Sequence, residues 1–438
     1  MSWELILAIV SLMALIIVGV PVPFCFGAGV ILLTLTTGGV SAWMFPLAYS
    51  KVNSILLMTI PMFVMAGAIM NKGGIGKSLV DWLSGILCRI KGNLVIVASF
   101  ACGIFGAVCG SGTATLSCIG SILAPRMRED KYPLGVVGAV LCCAAPLGLL
   151  IPPSGIQILV AWSGQLSVLA CFLSTAVPGV ILMCLIALVG WIMTRTSSEV
   201  PEAIHPPMGE WIPSMGKKTA SAFPALLMPV IILGGIYGGF ATPTESAAIA
   251  VIYAIPVSML VYKSLTWKEV GSAFKESAVT CGVITLMVFF ISILSRMLVM
   301  ANLPSIILNA FMMVSEDPKV ILIMINLLMV ITGMIMDDTS GTLLLTPILL
   351  PVAQEIGISP YHFAAILGVN LGMGNITPPC APFLYMSSRV CGASTASMIK
   401  PVLMIILFAY LPTLILTTYV PDVSLWLPRL ILGDKFMG

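Results

Sequence analysis

Four ionisable residues interrupt long apolar stretches of the chain: Glu245, Arg296, Asp337 and Asp338. At membrane depth each such group costs several kcal/mol unless it is paired or faces water, so each needs an explanation. A guanidinium can hold a carboxylate through two parallel hydrogen bonds, which makes Arg296 a candidate for binding an organic acid. The alternative for Arg296 is a side chain that reaches the interface or pairs with an acidic partner.

The three acidic residues fall into two cases. Glu245 follows Thr242-Pro243-Thr244, a pattern typical of a helix start, so a structural cap is favoured over a ligand role. Asp337 and Asp338 lie between two apolar runs, where a hairpin could simply expose them to solvent. A functional role for at least one of them is favoured, because ionisable residues at membrane depth mark transport routes.

Two Pro-Pro pairs, Pro152-Pro153 and Pro378-Pro379, interrupt apolar segments that would otherwise continue as helices. Each pair removes two backbone donors and forces the preceding residue out of helical geometry. Such breaks could be packing kinks. A helix broken at mid-membrane also frees carbonyl oxygens, however, and a desolvated Na⁺ requires a cage of such oxygens. The pattern therefore predicts two similar sodium cages.

The two breaks belong to a longer repeat, in which matching residues keep one constant spacing without a gap. The matching pairs include Thr113 and Thr339, Pro125 and Pro351, Ala139 and Ala365, Leu141 and Leu367, and Gly148 and Gly374. Gly19 and Pro23 align with Gly239 and Pro243 at a slightly shorter spacing, so the repeat covers nearly the whole chain. Two copies of a broken helix at equal spacing indicate a duplicated fold.

The repeat also pairs the residues around the two breaks. Gly374, Thr377 and Cys380 correspond to Gly148, Ile151 and Ser154. Because Ile151 stands where the other copy has Thr377, we expect the backbone carbonyl to bind the ion at that level.

Composition places this fold in a membrane. Hydrophobic residues make up 59% of the 438 residues and charged residues only 8%, against roughly 25% charged in a soluble domain. Apolar runs of about 20 residues leave room for roughly a dozen spanning or re-entrant segments. The twelve cysteines lie almost entirely in these runs, without CxxC or Cys/His clusters. We therefore expect neither a disulfide framework nor a transition-metal site.

The chain divides into a first half (1–194), a polar connecting segment (195–218) and a second half (219–438). Each half contains one re-entrant hairpin and one broken helix, predicted at about 93–125 and 133–163 and at about 319–352 and 360–390. If each half crosses the membrane an odd number of times, the halves are inverted. The predicted fold is an all-α membrane protein with inverted-topology repeats.

The distribution of Lys and Arg predicts the orientation. With both termini outside and the connecting segment inside, most of the 20 Lys and Arg residues fall on the cytoplasmic side. Four lie outside (Lys51, Lys319, Arg429 and Lys435), and Arg296 lies within the membrane. This bias has the sign of the positive-inside rule.

Five stretches carry a resemblance to a known family. They are residues 106–115 (Gly-Ala-Val-Cys-Gly-Ser-Gly-Thr-Ala-Thr), 147–154 (Leu-Gly-Leu-Leu-Ile-Pro-Pro-Ser), 234–248, Asp337 in its hairpin, and 370–379. Over essentially the full length, the chain resembles the large membrane subunit of tripartite ATP-independent periplasmic (TRAP) transporters. The resemblance implies an elevator-type transporter in the bacterial inner membrane that is driven by Na⁺ at two or more sites. It also implies a small four-helix (Q-type) membrane subunit and a periplasmic substrate-binding (P-type) protein that delivers an organic acid.

The resemblance also assigns site residues. It implies one sodium site at Ala107, Ser111, Gly148, Ile151 and Ser154, and another at Gly333, Gly374, Thr377 and Cys380. For the substrate it implies Arg296, Asp337, Ser111 and Thr113. Cys109, Cys380 and the second acid, Asp338, depart from the family pattern.

Other functions remain as alternatives. An intramembrane protease built on Ser111 with His362, or on Asp337, is disfavoured, because His362 lies at a segment edge and only Asp338 could pair with Asp337. We therefore expect a transporter, with no enzymatic activity and no nucleic-acid partner. A carboxylate or ion transporter of the same architecture that needs no binding protein is the main alternative. Sialic acid and four-carbon dicarboxylates are the two candidate substrates.

We expect the hairpins, the broken helices and Arg296 to move as one body against a fixed frame.

Overall fold

A computed structural model describes residues 3–37, 42–195, 200–203, 205–378 and 380–433. These residues form helices joined by short turns, and no strand occurs among them, which confirms the all-α prediction. Pro379, Lys435 and part of the predicted connecting segment lie outside the described residues.

The helices up to the connecting segment are α1 (Trp3–Val18), α2 (Val22–Thr37), α3 (Met44–Val52), α4 (Thr59–Lys72), α5 (Ile75–Ile86), α6 (Asn93–Cys109), α7 (Gly112–Glu129), α8 (Leu134–Ala144), α9 (Leu147–Leu150), α10 (Gly155–Gly164) and α11 (Val168–Arg195). A 3₁₀ turn, Ile55–Met58, leads into α4.

The helices that follow are α12 (Met208–Tyr237), α13 (Pro243–Pro256), α14 (Trp267–Met300), α15 (Leu303–Met312), α16 (Pro318–Ile335), α17 (Asp338–Glu355), α18 (Pro360–Gly374), α19 (Pro382–Cys391), α20 (Thr395–Ile405), α21 (Leu411–Tyr419) and α22 (Pro421–Leu432). Single π-helical turns, Val257–Val261 and Ile406–Tyr410, follow α13 and α20. The last part of the predicted connecting segment forms the start of α12.

Within the described residues, seven helical stretches are long and apolar enough to cross a membrane, or eight if the bent pair at Leu134–Gly164 is counted as one span. They are α4 with its preceding turn, α11, α12, α13 with its π turn, α14, α16, and α20 to α21. The protein is therefore a multi-pass membrane protein.

Two helix pairs are joined by very short turns. Between α6 and α7, Gly110 adopts φ +60°, which a glycine tolerates without strain, and the Ser111 side chain caps α7 by accepting a bond from the Ala114 N–H. Between α16 and α17, the Asp337 side chain caps α17 by accepting a bond from the Thr339 N–H. Each turn therefore has its own capping residue.

Two further helices are interrupted. The segment from Ile151 to Ser154 separates α9 from α10, with a 43° bend between Leu134–Leu150 and Gly155–Gly164. The Ser154 side chain caps α10 by accepting a bond from the Gln157 N–H. The second interruption, between α18 and α19, contains Pro378. Both interruptions coincide with Pro-Pro pairs in the sequence.

The helix contacts form two groups. α14 packs mainly against α2, α3 and α4, and α13 packs against α4 and α12. The hairpin and broken-helix elements pack on one another, as in α6 with α9 and α11, and α16 with α18. Arg296 lies on α14, which packs mainly on the first group and also contacts α17 of the second hairpin.

Candidate functional site

A cavity of about 640 Å³ lies where α3, α10, α14 and α17 meet. Its polar and aromatic wall consists of Trp43, Lys51, Trp162, Ser163, Ser292, Ser295 and Arg296, and the rest of the wall is apolar. The cavity therefore lies between the α14 group and the elements that contain the hairpins and broken helices.

Arg296 lines this cavity from the face of α14 that is turned towards it. Ser292, Arg296 and Met300 are spaced by four residues and share one face of α14, as do Ser295 and Val299. Among the described residues, the guanidinium has no ion-pair or hydrogen-bond partner. Its five donors are therefore available to a ligand.

Lys51 contributes a second positive charge from the last turn of α3. Its Nζ lies 5.8 Å from the centre of the Trp162 ring, within the range of a cation–π contact. None of the described residues lining the cavity is acidic. The cavity is therefore chemically suited to an anion, and sequence reasoning, which treated Lys51 as an external loop charge, did not place it here.

The other predicted substrate residues lie elsewhere. Ser111 and Thr113 are at the start of α7, where their hydroxyl oxygens are 3.0 Å apart. The Asp337 carboxylate accepts hydrogen bonds from the Ser340 hydroxyl and the Thr339 N–H. These three residues do not line the cavity that contains Arg296.

Two further acidic residues were considered from the sequence. Glu245 forms a capping box with Thr242, whose N–H donates to the Glu245 carboxylate over 2.7 Å, so the predicted structural role is confirmed. Asp338 is half-buried in the first turn of α17 and does not line the cavity.

Residues of the first predicted sodium site converge where the α6–α7 turn meets the break before α10. The Gly155 N–H donates to the Gly110 carbonyl over 3.2 Å. A Cβ atom added to Gly106 would lie 2.6 Å from the Gly148 Cα, so only glycine allows α6 and α9 to approach this closely. The structure thus brings Ser111, Gly148 and Ser154 to one crossing, with Ala107 on the adjacent end of α6.

The oxygens at this crossing are mostly backbone carbonyls. The Ser154 hydroxyl donates to the Leu149 carbonyl over 2.6 Å, and the Ile151 side chain has no oxygen. Thr115 is fully buried, and its hydroxyl donates to the Ser111 carbonyl over 2.7 Å. Thr115 was missed from the sequence because it lies within a helix, four residues after the turn.

The second predicted sodium site has a similar crossing. A Cβ atom added to Gly374 would lie 2.7 Å from the Gly333 Cα, so α16 and α18 also meet glycine to glycine. The Thr377 hydroxyl donates to the Met373 carbonyl over 2.6 Å, while Cys380 is exposed. Asn375, which sequence reasoning did not single out, is 1% exposed, and its side-chain amide atoms have no hydrogen-bond partner within the described residues.

The family model for the DctM component of tripartite ATP-independent periplasmic transporters matches residues 9–423. The chain belongs to this family. The large-subunit resemblance inferred from the motifs is therefore confirmed, and family membership implies a bacterial inner membrane.

Several curated relatives of this DctM-family chain are named as permeases. A C4-dicarboxylate TRAP transporter large permease protein of Pseudomonas aeruginosa is 35% identical, over 85% of this chain and 86% of the relative. A sialic acid TRAP transporter large permease protein of Vibrio cholerae is 32% identical, over 87% of this chain and 88% of the relative. An isethionate TRAP permease protein DctMQ of Oleidesulfovibrio alaskensis is 30% identical, over 94% of this chain and 64% of the relative.

These names are consistent with the expectation that the DctM-family chain is a transporter subunit without enzymatic activity. Among solved structures, the YdaH transporter of Alcanivorax borkumensis matches with a TM-score of 0.62 and 15% identity, over 90% of each chain. At that identity the match shows a shared fold alone.

Proposed function

We propose that this chain is the transport subunit that carries an organic acid across the membrane, in symport with Na⁺. The observation that carries the proposal is the cavity in which Arg296 and Lys51 bring two positive charges with no acidic residue among its described lining. The relatives named for C4-dicarboxylates and sialic acid act on acids, which agrees with such a cavity.

The chemistry of the cavity suits a carboxylate with a polar body. The guanidinium of Arg296 offers a planar fork to one carboxylate. Lys51, held beside the Trp162 ring, offers a point charge to a second anionic or acceptor group. The hydroxyls of Ser163, Ser292 and Ser295 supply further donors.

Sodium coupling is proposed at the two glycine crossings. Each crossing joins a hairpin to the region of a helix break, where main-chain carbonyls are not all used within a helix. At the first, Ser111, Gly148, Ile151 and Ser154 would hold the ion through backbone oxygens beside Ala107. At the second, the corresponding residues are Gly333, Gly374, Thr377 and Cys380.

Transport is proposed to follow an elevator movement of inverted repeats. The two similar crossings, Gly106 with Gly148 and Gly333 with Gly374, support a duplicated design. The hairpins and broken helices would move together, while α1 to α4 and α12 to α14 form the frame. In this proposal Arg296 and Lys51 belong to the frame, and the cavity lies at the boundary across which the other elements shift.

The family suggests the partners. A Q-type four-helix membrane subunit would enlarge the frame, and a P-type periplasmic protein would deliver the acid to the side on which both termini are proposed to lie. One relative is named DctMQ, as expected if large and small subunits work together. A transporter that needs no binding protein is the alternative, and omission of that protein from the assay separates the two.

The test is uptake by proteoliposomes that contain this chain with its Q-type and P-type partners. Radiolabelled succinate and sialic acid are supplied under an inward Na⁺ gradient, or under a pH gradient without Na⁺. We expect accumulation of one of the acids only with Na⁺. Undiminished uptake in Na⁺-free medium would reject sodium coupling, and absence of uptake of both acids under either gradient would reject these two acids as substrates.

A further inference from the structure

A second cavity, of about 340 Å³, lies where α5, α7 and α12 meet, away from the cavity proposed for the organic acid. Three cations line it: Arg126 from the last turn of α7, and Lys217 and Lys218 from α12. Asp81 of α5 is the one acidic residue among the described lining, so the cavity has a formal excess of positive charge.

The single carboxylate is already engaged. Asp81 Oδ1 lies 2.7 Å from Arg126 Nη2. Lys217 and Lys218 have no ion-pair or hydrogen-bond partner in the described part of the chain. A Cβ atom on Gly85 would lie 3.2 Å from the Nζ of Lys218, so the glycine lets this ammonium group come close to α5. Two charges therefore remain for a ligand.

Hydroxyl donors complete the cavity. The Ser84 hydroxyl oxygen is buried, and it has no hydrogen-bond partner within the described residues. The hydroxyls of Ser78 and Ser221 are 3.3 Å apart, so only one of them can donate to the other in this pair. Ammonium groups and free hydroxyl protons together are what a phosphate group requires.

The depth of the cavity indicates the source of the phosphate. Lys217 and Lys218 directly precede the apolar part of α12, a helix long and apolar enough to span a membrane, so we expect them at the level of lipid headgroups. The Lys and Arg distribution predicts that this side is cytoplasmic, and basic pockets between spanning helices on that side suit anionic headgroups. We propose that this cavity binds the phosphate group of an anionic phospholipid such as phosphatidylglycerol.

Such a lipid would join three elements. Its phosphate would contact Lys217 and Lys218 of α12 and the hydroxyl of Ser84 on α5, next to Arg126 at the end of the first hairpin. Bound lipid would therefore hold the hairpin against α5 and α12. The inference does not depend on which acid the protein transports.

The experiment uses the full chain, purified in detergent and stripped of lipid, with binding measured by native mass spectrometry and by thermal unfolding. Phosphatidylglycerol should bind and raise the melting temperature, whereas phosphatidylcholine should not. The variant Lys217→Gln/Lys218→Gln should bind phosphatidylglycerol roughly 30-fold more weakly, because each lost Lys near an anionic headgroup removes on the order of 1 kcal/mol.

Two controls make the outcome decisive. The variant Lys268→Gln/Lys275→Gln removes two exposed lysines of α14 outside the cavity and should bind like wild type. The variant Lys217→Arg/Lys218→Arg keeps the charge and should retain binding, which separates lost charge from lost folding. Equal binding by the Gln variant and wild type would overturn the proposal. If inorganic phosphate alone gave the full stabilisation, the lipid would be rejected as the source.

Discussion

Two positive side chains facing one cavity favour occupancy by an anion. Arg296 and Lys51 have no acidic neighbour among the described lining residues. Their positive charges can therefore be compensated only by water or by a bound acid. A guanidinium binds through a rigid fork and an ammonium through a single charge, so the two residues should make different contributions.

Replacement of Arg296 tests whether its guanidinium binds the carboxylate of the transported acid. Arg296→Ala should raise the half-saturating concentration of the acid by roughly 30-fold, because a charge-assisted hydrogen bond contributes about 2 kcal/mol. Arg296→Lys should recover only part of this loss. The measurement is concentration-dependent uptake in proteoliposomes, with thermal unfolding to confirm a folded protein. Wild-type uptake by the Ala variant would leave Arg296 with a packing role.

Lys51 should discriminate between acids. We expect Lys51→Gln to weaken transport of a dicarboxylate by several-fold, as for the loss of about 1 kcal/mol, and to affect a monocarboxylate of similar size less. Competition of unlabelled acids against the transported substrate measures this difference. Equal weakening for both classes would argue against a contact between Lys51 and a second carboxylate.

Asp337 combines a helix cap with a predicted ligand role, and two variants separate them. Asp337→Ala should lower the free energy of unfolding by about 1 kcal/mol through loss of the cap on α17. Asp337→Ser can still cap, so it should restore stability but not transport if the carboxylate is needed. Thermal unfolding and uptake are measured side by side. Normal uptake by the Ser variant would reduce Asp337 to a cap.

Single residues were predictable from sequence where their type conflicted with their surroundings. Arg296 interrupts an apolar run, and Glu245 stands in a capping pattern, so both could be singled out. Lys51 and Asn375 could not. A lysine at a segment end is ordinarily a solvated charge, and the isolation of the Asn375 amide arises only from packing around the second break.

At the scale of elements, the two glycine crossings determine how closely each hairpin packs on its partner. Gly374 and Gly333 meet across α18 and α16, and the atoms that an added Cβ on Gly374 would meet first are backbone atoms. Backbone cannot rotate away as a side chain can, so a methyl group there must separate the two helices.

Gly374→Ala should therefore destabilise the protein by about 1–3 kcal/mol and weaken the stabilisation that Na⁺ gives. The matched control is Gly271→Ala, since Gly271 lies within α14 and an added Cβ would meet no atom within 4 Å. Alanine in that position should stabilise by up to about 1 kcal/mol. Melting temperatures with and without Na⁺ provide the measurement. If both variants changed the melting temperature and its dependence on Na⁺ in the same way, close packing at Gly374 would contribute neither to stability nor to Na⁺ binding.

The breaks between elements were visible in the sequence because proline acts locally. Pro152-Pro153 and Pro378 lie where the helices are interrupted, and Ser111 and Asp337 lie where α7 and α17 begin. The sequence did not show which helices pack against each other, because membrane helices that are hydrophobic on all sides have little periodicity to mark the face that contacts a neighbouring helix.

At the scale of the whole molecule, composition was sufficient to predict a multi-pass membrane protein. Composition could not predict whether α14 packs with α2 to α4 or with the hairpins, since its apolar sequence is compatible with both. The structure places α14 against α2, α3 and α4, with α17 across an apolar crevice of about 230 Å³. An elevator movement requires α14 and α17 to slide past each other along this crevice.

A reducible crosslink across the crevice tests the movement. Leu298 of α14 and Leu345 of α17 both line the crevice, outside the cavity proposed for the acid. With the accessible native cysteines replaced, Leu298→Cys/Leu345→Cys treated with a bifunctional thiosulfonate should lose uptake and regain it on reduction. The physical reason is that the crosslink joins the proposed frame to the second hairpin.

The control places the same crosslink within the proposed frame. Thr59 of α4 and the hydroxyl of Thr244 on α13 are in contact, with 2.6 Å between their oxygens. Thr59→Cys/Thr244→Cys should crosslink and keep transport, because α4 and α13 are expected to stay together throughout the cycle. If the crosslink between Cys variants of Leu298 and Leu345 formed completely and left uptake unchanged, α14 and α17 would not move relative to each other, and the elevator proposal would be wrong.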